Sequence, residues 1–251
     1  MDALWVGTAT VVLKLGPFTI LTDPALNVTP TSRYSAGFGL HYRRTEAPAI
    51  PPEGLGPVDL VLLSHDEHGD NLDEAGRALL PTAAEVLTTE AGARRLGGNA
   101  VGLAPWASTT IEKDGARLRV TAVPARHGPP GSRPVVGPVV GFVVELGDTV
   151  IYLSGDTVHT RAVDAIGERF DVDGAFLNVG RAAFPILGPV TMGGRGAAKI
   201  VAALDPAWVA PVHCQGWSHF SETPAQTQAR LDRAGVGDRV RWLPRGSWTT
   251  L

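Results

Sequence analysis

The chain contains a single cysteine, Cys214, among its 251 residues. One thiol cannot form a disulfide within the chain, and it cannot supply a zinc site built from several thiolates. The sequence also lacks the run of about 18 apolar residues that a membrane-spanning helix needs. Its first residues, Met1–Gly7, have an acidic second position and no long apolar stretch, unlike a secretory signal. These absences favour a cytoplasmic protein that does not enter a membrane.

An excess of charge of one sign is also absent. The chain has 22 Lys and Arg residues and 25 Asp and Glu residues, which gives a formal net charge of −3. The basic residues are scattered, and the densest groups are the pairs Arg43–Arg44 and Arg94–Arg95. A nucleic-acid-binding protein usually carries a basic patch or stripe. We therefore expect no nucleic-acid partner, whereas composition leaves the formation of a homo-oligomer open.

Hydrophobic residues make up 44% of the chain and charged residues 19%, as in ordinary globular proteins. No Ser- or Gly-rich linker, low-complexity segment or repeat divides the sequence. The length allows one large domain or two small ones. Because nothing in the composition marks a boundary, the sequence predicts a single domain over residues 1–251.

The first part of the sequence predicts β-hairpins, because apolar and β-branched runs flank short turn signals such as Asp114-Gly115. The predicted strands are Ala9–Leu15, Phe18–Thr22, Val58–Ser64, Thr109–Lys113, Leu118–Val123, Val139–Leu146 and Thr149–Leu153. Helical spacing covers Leu72–Leu80, and Asp70 or Asn71 is its predicted N-cap. Later, strands at Ala175–Val179 and Trp208–Val212 alternate with helices at Arg195–Leu204 and Pro224–Ala234. Hairpins followed by β–α units predict an α/β layered protein with mixed sheets.

Histidines and aspartates follow four of these strands. His65 and His68 come directly after Val58–Ser64, and the other strands are followed by His127, Asp156 and His213. Ligand sites collect in the loops at strand ends of α/β proteins. Imidazole and carboxylate groups suit borderline or hard divalent ions such as zinc, manganese or iron. The pattern therefore predicts a metal site where these strand ends meet.

Five motifs, in the same order along the chain, resemble the metallo-β-lactamase superfamily. They are Gly7-Thr8-Ala9-Thr10 with Ile20–Pro24, then Leu62–Asp66, Val123–His127, Ser154-Gly155-Asp156-Thr157, and Pro211-Val212-His213 with Gly216–Phe220. The branch that they resemble contains ascorbate-6-phosphate lactonase and N-acyl-phosphatidylethanolamine phospholipase D. This resemblance implies a four-layer αββα sandwich, in which two mixed sheets have helices outside. It also implies a hydrolase that uses a metal-activated water on a small ester, lactone or phosphodiester.

The resemblance implies a ligand set for one or two divalent ions, with Zn²⁺ preferred over Mn²⁺ or Fe²⁺. The implied ligands are His65, His68, Asp70, His127, Asp156 and His213. Asp70 would also hold the attacking water and pass its proton on, while Asp156 would bridge two ions or complete the shell of one. His219, with Trp217, is close enough in sequence to His213 to line the pocket, and it is the second predicted catalytic residue. His159 is a further candidate for the pocket lining.

The first metal motif departs from the family's H-x-H-x-D-H pattern. It reads His65-Asp66-Glu67-His68-Gly69-Asp70-Asn71, which is one residue longer. A one-residue bulge that keeps His65, His68 and Asp70 reconciles both ends of the motif, and Glu67 is the alternative to His68. Gly69 would let the backbone take the dihedral angles that an extra residue demands. Since Asn71 replaces the last histidine, we expect closer to one tightly bound ion than two.

Two other functions fit part of this pattern. A metal-binding protein of the same fold, with weakened or lost catalysis, would explain Glu67 and Asn71. A nuclease of the same fold would need a basic groove or an added domain, and the sequence shows neither. The substrate class stays open, although Arg126, Arg133 and Arg181 are candidates for binding a phosphate or carboxylate, which guanidinium groups match.

Overall fold

The computed structural model describes residues 1–29, 32–37, 40–185 and 187–251. Over these residues the strands are β1 (Asp2–Gly7), β2 (Thr10–Leu15), β3 (Phe18–Thr22), β4 (Arg33–Gly37), β5 (Leu40–Arg43), β6 (Leu60–Leu62), β7 (Glu85–Thr88), β8 (Ala100–Gly102), β9 (Ser108–Lys113), β10 (Ala116–Pro124), β11 (Val140–Leu146), β12 (Thr149–Leu153), β13 (Gly174–Asn178), β14 (Ala183–Phe184), β15 (Gly188–Pro189), β16 (Trp208–Val212) and β17 (Trp248–Thr250). The helices are α1 (Glu74–Leu79), α2 (Glu90–Leu96), α3 (Arg133–Val136), α4 (Arg161–Asp164), α5 (Gly194–Leu204) and α6 (Pro224–Arg233).

The strands form two large mixed sheets. In the first sheet the order is β17-β1-β2-β3-β6-β7-β8, antiparallel as far as β3 and parallel beyond it. In the second sheet the order is β16-β13-β12-β11-β10-β9, antiparallel from β9 to β12 and parallel beyond. Two small hairpins, β4–β5 and β14–β15, lie outside these sheets. This architecture matches the predicted α/β class with two mixed sheets.

Alternation along the strands explains why the sheets pack as layers. On β2, Leu13 faces the core between the sheets, where Phe142 of β11 also lies. Its neighbour Val12 points to the opposite face and packs with Leu72 and Leu80 next to α1. Successive side chains of a strand point to opposite faces of the sheet, so a single strand contributes side chains to the hydrophobic cores on both faces.

The turn residues that predict the hairpins have the backbone that such turns need. Asp114 and Gly115 join β9 to β10, and both have positive φ angles of 49° and 78°. A two-residue type I′ turn requires positive φ at both positions, which Asp-Gly sequences tolerate. Gly147, between β11 and β12, also has a positive φ of 58°. These two hairpins therefore follow from local sequence chemistry.

The structure corrects the predicted start of the first helix. Asp73 is the N-cap of α1, because its Oδ1 accepts a hydrogen bond from the Gly76 amide at 2.9 Å. Asp70 and Asn71, the predicted caps, precede the helix and are buried among other polar side chains. The preceding strand is also shorter than predicted, since β6 ends at Leu62. The whole segment 63–72 is therefore loop that is free to carry site residues.

The hairpin β4–β5, which the sequence analysis did not predict, packs through Tyr34 and Tyr42 against Trp217. Among the described helices, none combines the length and the hydrophobicity that crossing a membrane requires.

Candidate metal centre

The site lies where strands of both sheets end at one edge of the molecule. His65 follows β6 of the first sheet, while His127, Asp156 and His213 follow β10, β12 and β16 of the second. The structure brings these four residues together with His68 and Asp70 in two adjacent groups: His65, His68 and His127, and Asp70, Asp156 and His213. All the ligand atoms within each group lie within 4.8 Å of one another.

The first group is a triangle of imidazole nitrogens. His68 Nδ1 lies 2.9 Å from His65 Nε2 and 3.1 Å from His127 Nε2. His127 Nδ1 lies 2.7 Å from the Val190 carbonyl oxygen. A carbonyl can only accept, so Nδ1 carries the proton and Nε2 presents a lone pair. Ligand atoms around a tetrahedral zinc ion with bonds of 2.0–2.1 Å are about 3.3 Å apart, which is close to these separations.

The second group adds carboxylates to imidazoles. His213 Nε2 lies 3.1 Å from Asp70 Oδ2, and His213 Nδ1 lies 3.5 Å from Asp156 Oδ1. The other Asp156 oxygen lies 3.8 Å from His127 Nε2, so this carboxylate sits between the two groups. His219 Nε2 is also 3.1 Å from Asp70 Oδ2. The predicted catalytic pair, Asp70 and His219, is therefore in direct contact.

Burial and charge set the protonation states of these groups. Burial and the neighbouring imidazoles hold the pKa of His65 well below its usual value and lower the pKa of His68 to about 4. Both rings are therefore neutral near pH 7, as metal ligands must be. Burial would raise the pKa of Asp70, but the hydrogen bonds from His213 and His219 outweigh it and hold the pKa well below its usual value.

The donor set fits a divalent ion. Nδ1 of His213 and Nδ1 of His219 are buried without a hydrogen-bond partner among the described residues. Burying polar groups without compensation is unfavourable, so hydrogen bonds alone do not account for this cluster. Imidazole nitrogens and carboxylate oxygens that converge at these separations are the ligands that zinc, manganese and iron accept.

Residues behind the ligands hold them in place. Asn178, at the end of β13, donates from Nδ2 to Asp156 Oδ1 at 2.7 Å. Ser64 Oγ lies 2.9 Å from His65 Nδ1, and the Ser64 amide donates to Asp23 Oδ1 at 2.7 Å. Burial raises the pKa of Asp23 to about 7. Asn178 has no predicted role, although it follows a strand that ends at the same edge as the predicted ligands.

The inserted residue of the first motif turns away from the cluster. Glu67 Oε1 pairs with an Arg95 guanidinium nitrogen at 2.6 Å, while His68 faces the other histidines. The expected reason for Gly69 is wrong, because its φ is not positive. A Cβ at Gly69 would instead overlap the ring of Tyr34, so the glycine is needed for close packing against the β4–β5 hairpin.

A narrow pocket with a volume of only about 10 Å³ opens onto these residues. Its lining comprises Tyr42, His68, Asp70, His127, Asp156, Ala182, Phe184, Val190 and His219. The Tyr42 ring lies 4.6 Å from the His219 ring, and Phe184 stacks on His219 at 5.5 Å. The Tyr42 hydroxyl accepts a hydrogen bond from the Gly69 amide at 2.9 Å. Tyr42 and Phe184 are not among the predicted site residues, because no local sequence pattern shows which hairpin side chains reach a distant site.

Several other candidates lie outside this pocket. His159 Nε2 contacts Asp164 Oδ1 at 2.8 Å, and Trp217 donates from Nε1 to Thr8 Oγ1 at 2.8 Å. Arg181 donates to Ser221 Oγ at 3.1 Å. Arg126 and Arg133 line a separate cleft, which shares His127 with the metal centre. His159 and Trp217 were predicted to line the pocket, but neither is among its lining residues.

Comparison with known proteins agrees with this geometry. The model of the β-lactamase superfamily domain matches residues 19–214. A UPF0173 metal-dependent hydrolase from Thermococcus onnurineus is 30% identical over 231 residues, which cover 88% of this chain and 89% of that protein. Another from Pyrococcus horikoshii is 32% identical over 198 residues, covering 76% of this chain and 80% of that protein. The chain therefore belongs to the β-lactamase superfamily and, within it, to the UPF0173 family.

The fold is shared with solved structures. An isothiocyanate hydrolase from Delia radicum gut bacteria superposes with a TM-score of 0.84 over 100% of this chain and 99% of that chain, at 24% sequence identity. The predicted superfamily and its fold, with two mixed sheets and flanking helices, are confirmed. The narrower branch, typified by the lactonase and the phospholipase D, stays a prediction.

Proposed function

We propose that this chain is a metal-dependent hydrolase that acts on a small ester, lactone or phosphodiester. One observation carries the proposal: six buried or nearly buried ligand side chains from both sheets converge beside a narrow pocket. The UPF0173 relatives are named metal-dependent hydrolases, which supports the same activity class.

Some of these residues would hold the metal, and others would take part in the reaction. His65, His68, His127, Asp156 and His213 would hold the metal, together with Asp70. A bound divalent ion would lower the pKa of a water ligand to about 7, which would supply a nucleophile at neutral pH. Asp70, kept ionised by His213 and His219, would accept a hydrogen bond from the attacking water and take up its proton. His219 lies beside Asp70 in the pocket, within reach of the same substrate.

The surroundings of the pocket favour a substrate with an apolar portion and a polar reacting group. Tyr42 and Phe184 supply apolar walls next to the polar cluster. The adjoining cleft, lined by Arg94, Arg126 and Arg133, would favour substrates that carry an anionic group beyond the reacting atom. The cleft shares His127 with the metal centre, so one molecule could contact both.

The proposal is tested with purified protein whose metal content is measured by elemental analysis. The panel contains 4-nitrophenyl acetate, a γ-lactone, bis(4-nitrophenyl) phosphate and benzyl isothiocyanate, the last because the structural relative is named for that substrate class. We expect hydrolysis of at least one compound, and a loss of about 100-fold or more in Asp70→Ala. His159→Ala is the matched control, since His159 contacts Asp164 outside the pocket. Metal-loaded protein that hydrolyses none of the panel would favour the non-catalytic metal-binding alternative.

The role of the arginine cleft is tested by comparing a charged substrate with a neutral one. The double variant Arg126→Ala/Arg133→Ala should raise KM for bis(4-nitrophenyl) phosphate and leave KM for 4-nitrophenyl acetate within about two-fold, because only the phosphate needs a guanidinium partner. Arg117→Ala is the control, as Arg117 is exposed on β10 and pairs with Glu112. An equal change for both substrates would argue against an anion-binding cleft.

A further inference from the structure

The second metal group lacks the imidazole that the family's motif would provide. Asn71 stands at that motif position, where its Nδ2 is engaged by other side chains and its Oδ1 is buried without a hydrogen-bond partner among the described residues. Asn71 Nδ2 lies 3.3 Å from Asp23 Oδ2 and 3.5 Å from Ser64 Oγ. The group then consists of Asp70, Asp156 and His213, with one nitrogen ligand.

His219 brings a second imidazole nitrogen to the same carboxylate oxygen. His213 Nε2 and His219 Nε2 each lie 3.1 Å from Asp70 Oδ2. Ligand atoms around a tetrahedral zinc ion are about 3.3 Å apart, so both separations suit neighbouring positions in one coordination sphere. The His219 side chain is only 6% exposed, and Asp70 Oδ2 is its one polar partner among the described residues.

The backbone and neighbouring rings hold His219 in this position without help from an ion. The His219 carbonyl accepts a hydrogen bond from the Ala183 amide at 3.0 Å, and Phe220 forms a β-bridge with Ala182. The imidazole packs against the rings of Tyr42 and Phe184, which also contact each other. A ring that is fixed by packing loses little further freedom when it binds a ligand. His219 is therefore organised for binding in advance.

We propose that His219 replaces the missing motif histidine in the second metal position, so that this chain binds two divalent ions. His65, His68 and His127 would hold the first ion, and Asp70, His213 and His219 the second, with Asp156 between them. The inference rests on the metal centre of the proposed function, and it replaces the sequence-based expectation of one tight ion. His219 then contributes to the reaction as a metal ligand.

Metal stoichiometry tests the proposal without reference to activity. Protein is loaded with Mn²⁺ or Zn²⁺, dialysed and measured by elemental analysis. We expect two ions per chain for the natural sequence and for the control His159→Ala, and one for His219→Ala. The dissociation constant of the second ion should rise by more than the ~10–100-fold typical of residues that only support a ligand. One tight ion in the natural sequence, or two tight ions in His219→Ala, would overturn the proposal.

Asn71 provides the second arm of the experiment. Asn71→Ala should keep two ions, whereas loss of the second ion in that variant would make Asn71 itself the ligand and overturn the assignment of His219. In the background of His219→Ala, adding Asn71→His should restore the second ion if the ligand has moved from one position to the other. Failure of this rescue would contradict the proposal that His219 takes over the role of the motif histidine that Asn71 replaces.

Spectroscopy distinguishes two adjacent ions from two separate ones. Two metal ions in such a site lie about 3.5–4 Å apart, which produces exchange coupling between paired Mn²⁺ ions in the electron paramagnetic resonance spectrum. His219→Ala should show an uncoupled single-ion spectrum, and His159→Ala the coupled one. A coupled spectrum in protein that hydrolyses no substrate would support the two-ion centre while contradicting the proposed hydrolase, so the two failures are separable.

Discussion

Glu67 and His68 are adjacent in sequence but have opposite environments. Glu67 is partly exposed and paired with Arg95, whose guanidinium also contacts Asp66. Burial raises the pKa of Glu67, but the carboxylate has an ionic partner outside the metal centre. His68 Nδ1 instead faces two imidazole nitrogens. The extra residue of the motif is therefore accommodated by turning one side chain outward.

This contrast gives a prediction about metal affinity. Glu67→Gln should leave the metal dissociation constant within a few-fold, because Glu67 does not face the other ligands. His68→Ala removes a converging nitrogen and should weaken binding by more than the ~10–100-fold seen for supporting residues. Competition with a fluorescent chelator measures both constants. The reverse order would place Glu67 in the coordination sphere and His68 outside it.

The pH dependence of metal binding follows from His213. Burial lowers the pKa of His213, but Asp156 and Asp70 outweigh that effect, so its pKa lies above the ordinary value of 6.5. Below this raised pKa, an ion must displace a proton from His213 in order to bind. Affinity should fall as the pH decreases through this raised pKa, approaching ten-fold per pH unit below it. His65 and His68, with lowered pKa values, add no competing proton in this range. Calorimetric titrations showing constant affinity would contradict this assignment.

The sequence predicts the identity of the candidate ligands better than their surroundings. His65, Asp156 and His213 follow strands, and the edge of a sheet brings strand ends together. Gly69 shows the limit, because its role depends on Tyr34, which lies 35 positions away in the sequence and on another element. Asn71 shows a second limit: its identity predicts a weak metal position, but only the fold places His219 beside Asp70.

At the scale of elements, the β4–β5 hairpin depends on one buried ion pair. Arg44, directly after β5, is 1% exposed, and its Nη1 lies 3.0 Å from Asp73 Oδ2. Its other nitrogens donate to the carbonyls of Ala25 and Glu46. Asp73 also caps α1 and accepts the Asn27 amide. This guanidinium therefore connects the hairpin that carries Tyr42 to the segment that carries the first metal motif.

Removal of this guanidinium should destabilise the protein strongly. Arg44→Met leaves Asp73 buried without its cation, and a broken buried pair costs about 3–5 kcal/mol. Denaturant unfolding should show a loss of that size in the free energy of unfolding. Arg43→Met, at the exposed neighbouring position, should change it by no more than ~0.5 kcal/mol. Equal stability of the two variants would show that the pair is dispensable.

Local turn chemistry explains which elements could be predicted. The hairpins around Asp114-Gly115 and Gly147 have turn residues with the required backbone, and their strands match within two residues. The β4–β5 hairpin lacks such a signal and is held by Arg44 and by aromatic contacts with Trp217. The start of α1 was misplaced because several candidate caps lie close together, and tertiary contacts select Asp73.

At the scale of the whole molecule, the metal centre joins the two sheets. His65 belongs to the first sheet's edge and His127, Asp156 and His213 to the second. Alternating hydrophobicity predicts each sheet, but the pairing of β3 with β6 and of β13 with β16 crosses long stretches of sequence. Such non-local pairing cannot be read from periodicity, and the family resemblance implied only the arrangement of two mixed sheets.

A centre that joins two sheets should stabilise the folded protein when metal is bound. An ion that binds only the folded state adds about 2.7 kcal/mol at 100 times its dissociation constant and about 4.1 kcal/mol at 1,000 times. For a chain of this length, those values correspond to an increase in Tm of about 5–15 °C. Calorimetry of metal-loaded protein, before and after treatment with a chelator, should show this difference, and added metal should reverse it. His65→Ala should be far less sensitive to the chelator, because its first group has lost a nitrogen. An unchanged Tm after the ions have been removed would mean that the ions bind the folded and the unfolded chain equally well, and it would contradict a metal centre that joins the two sheets.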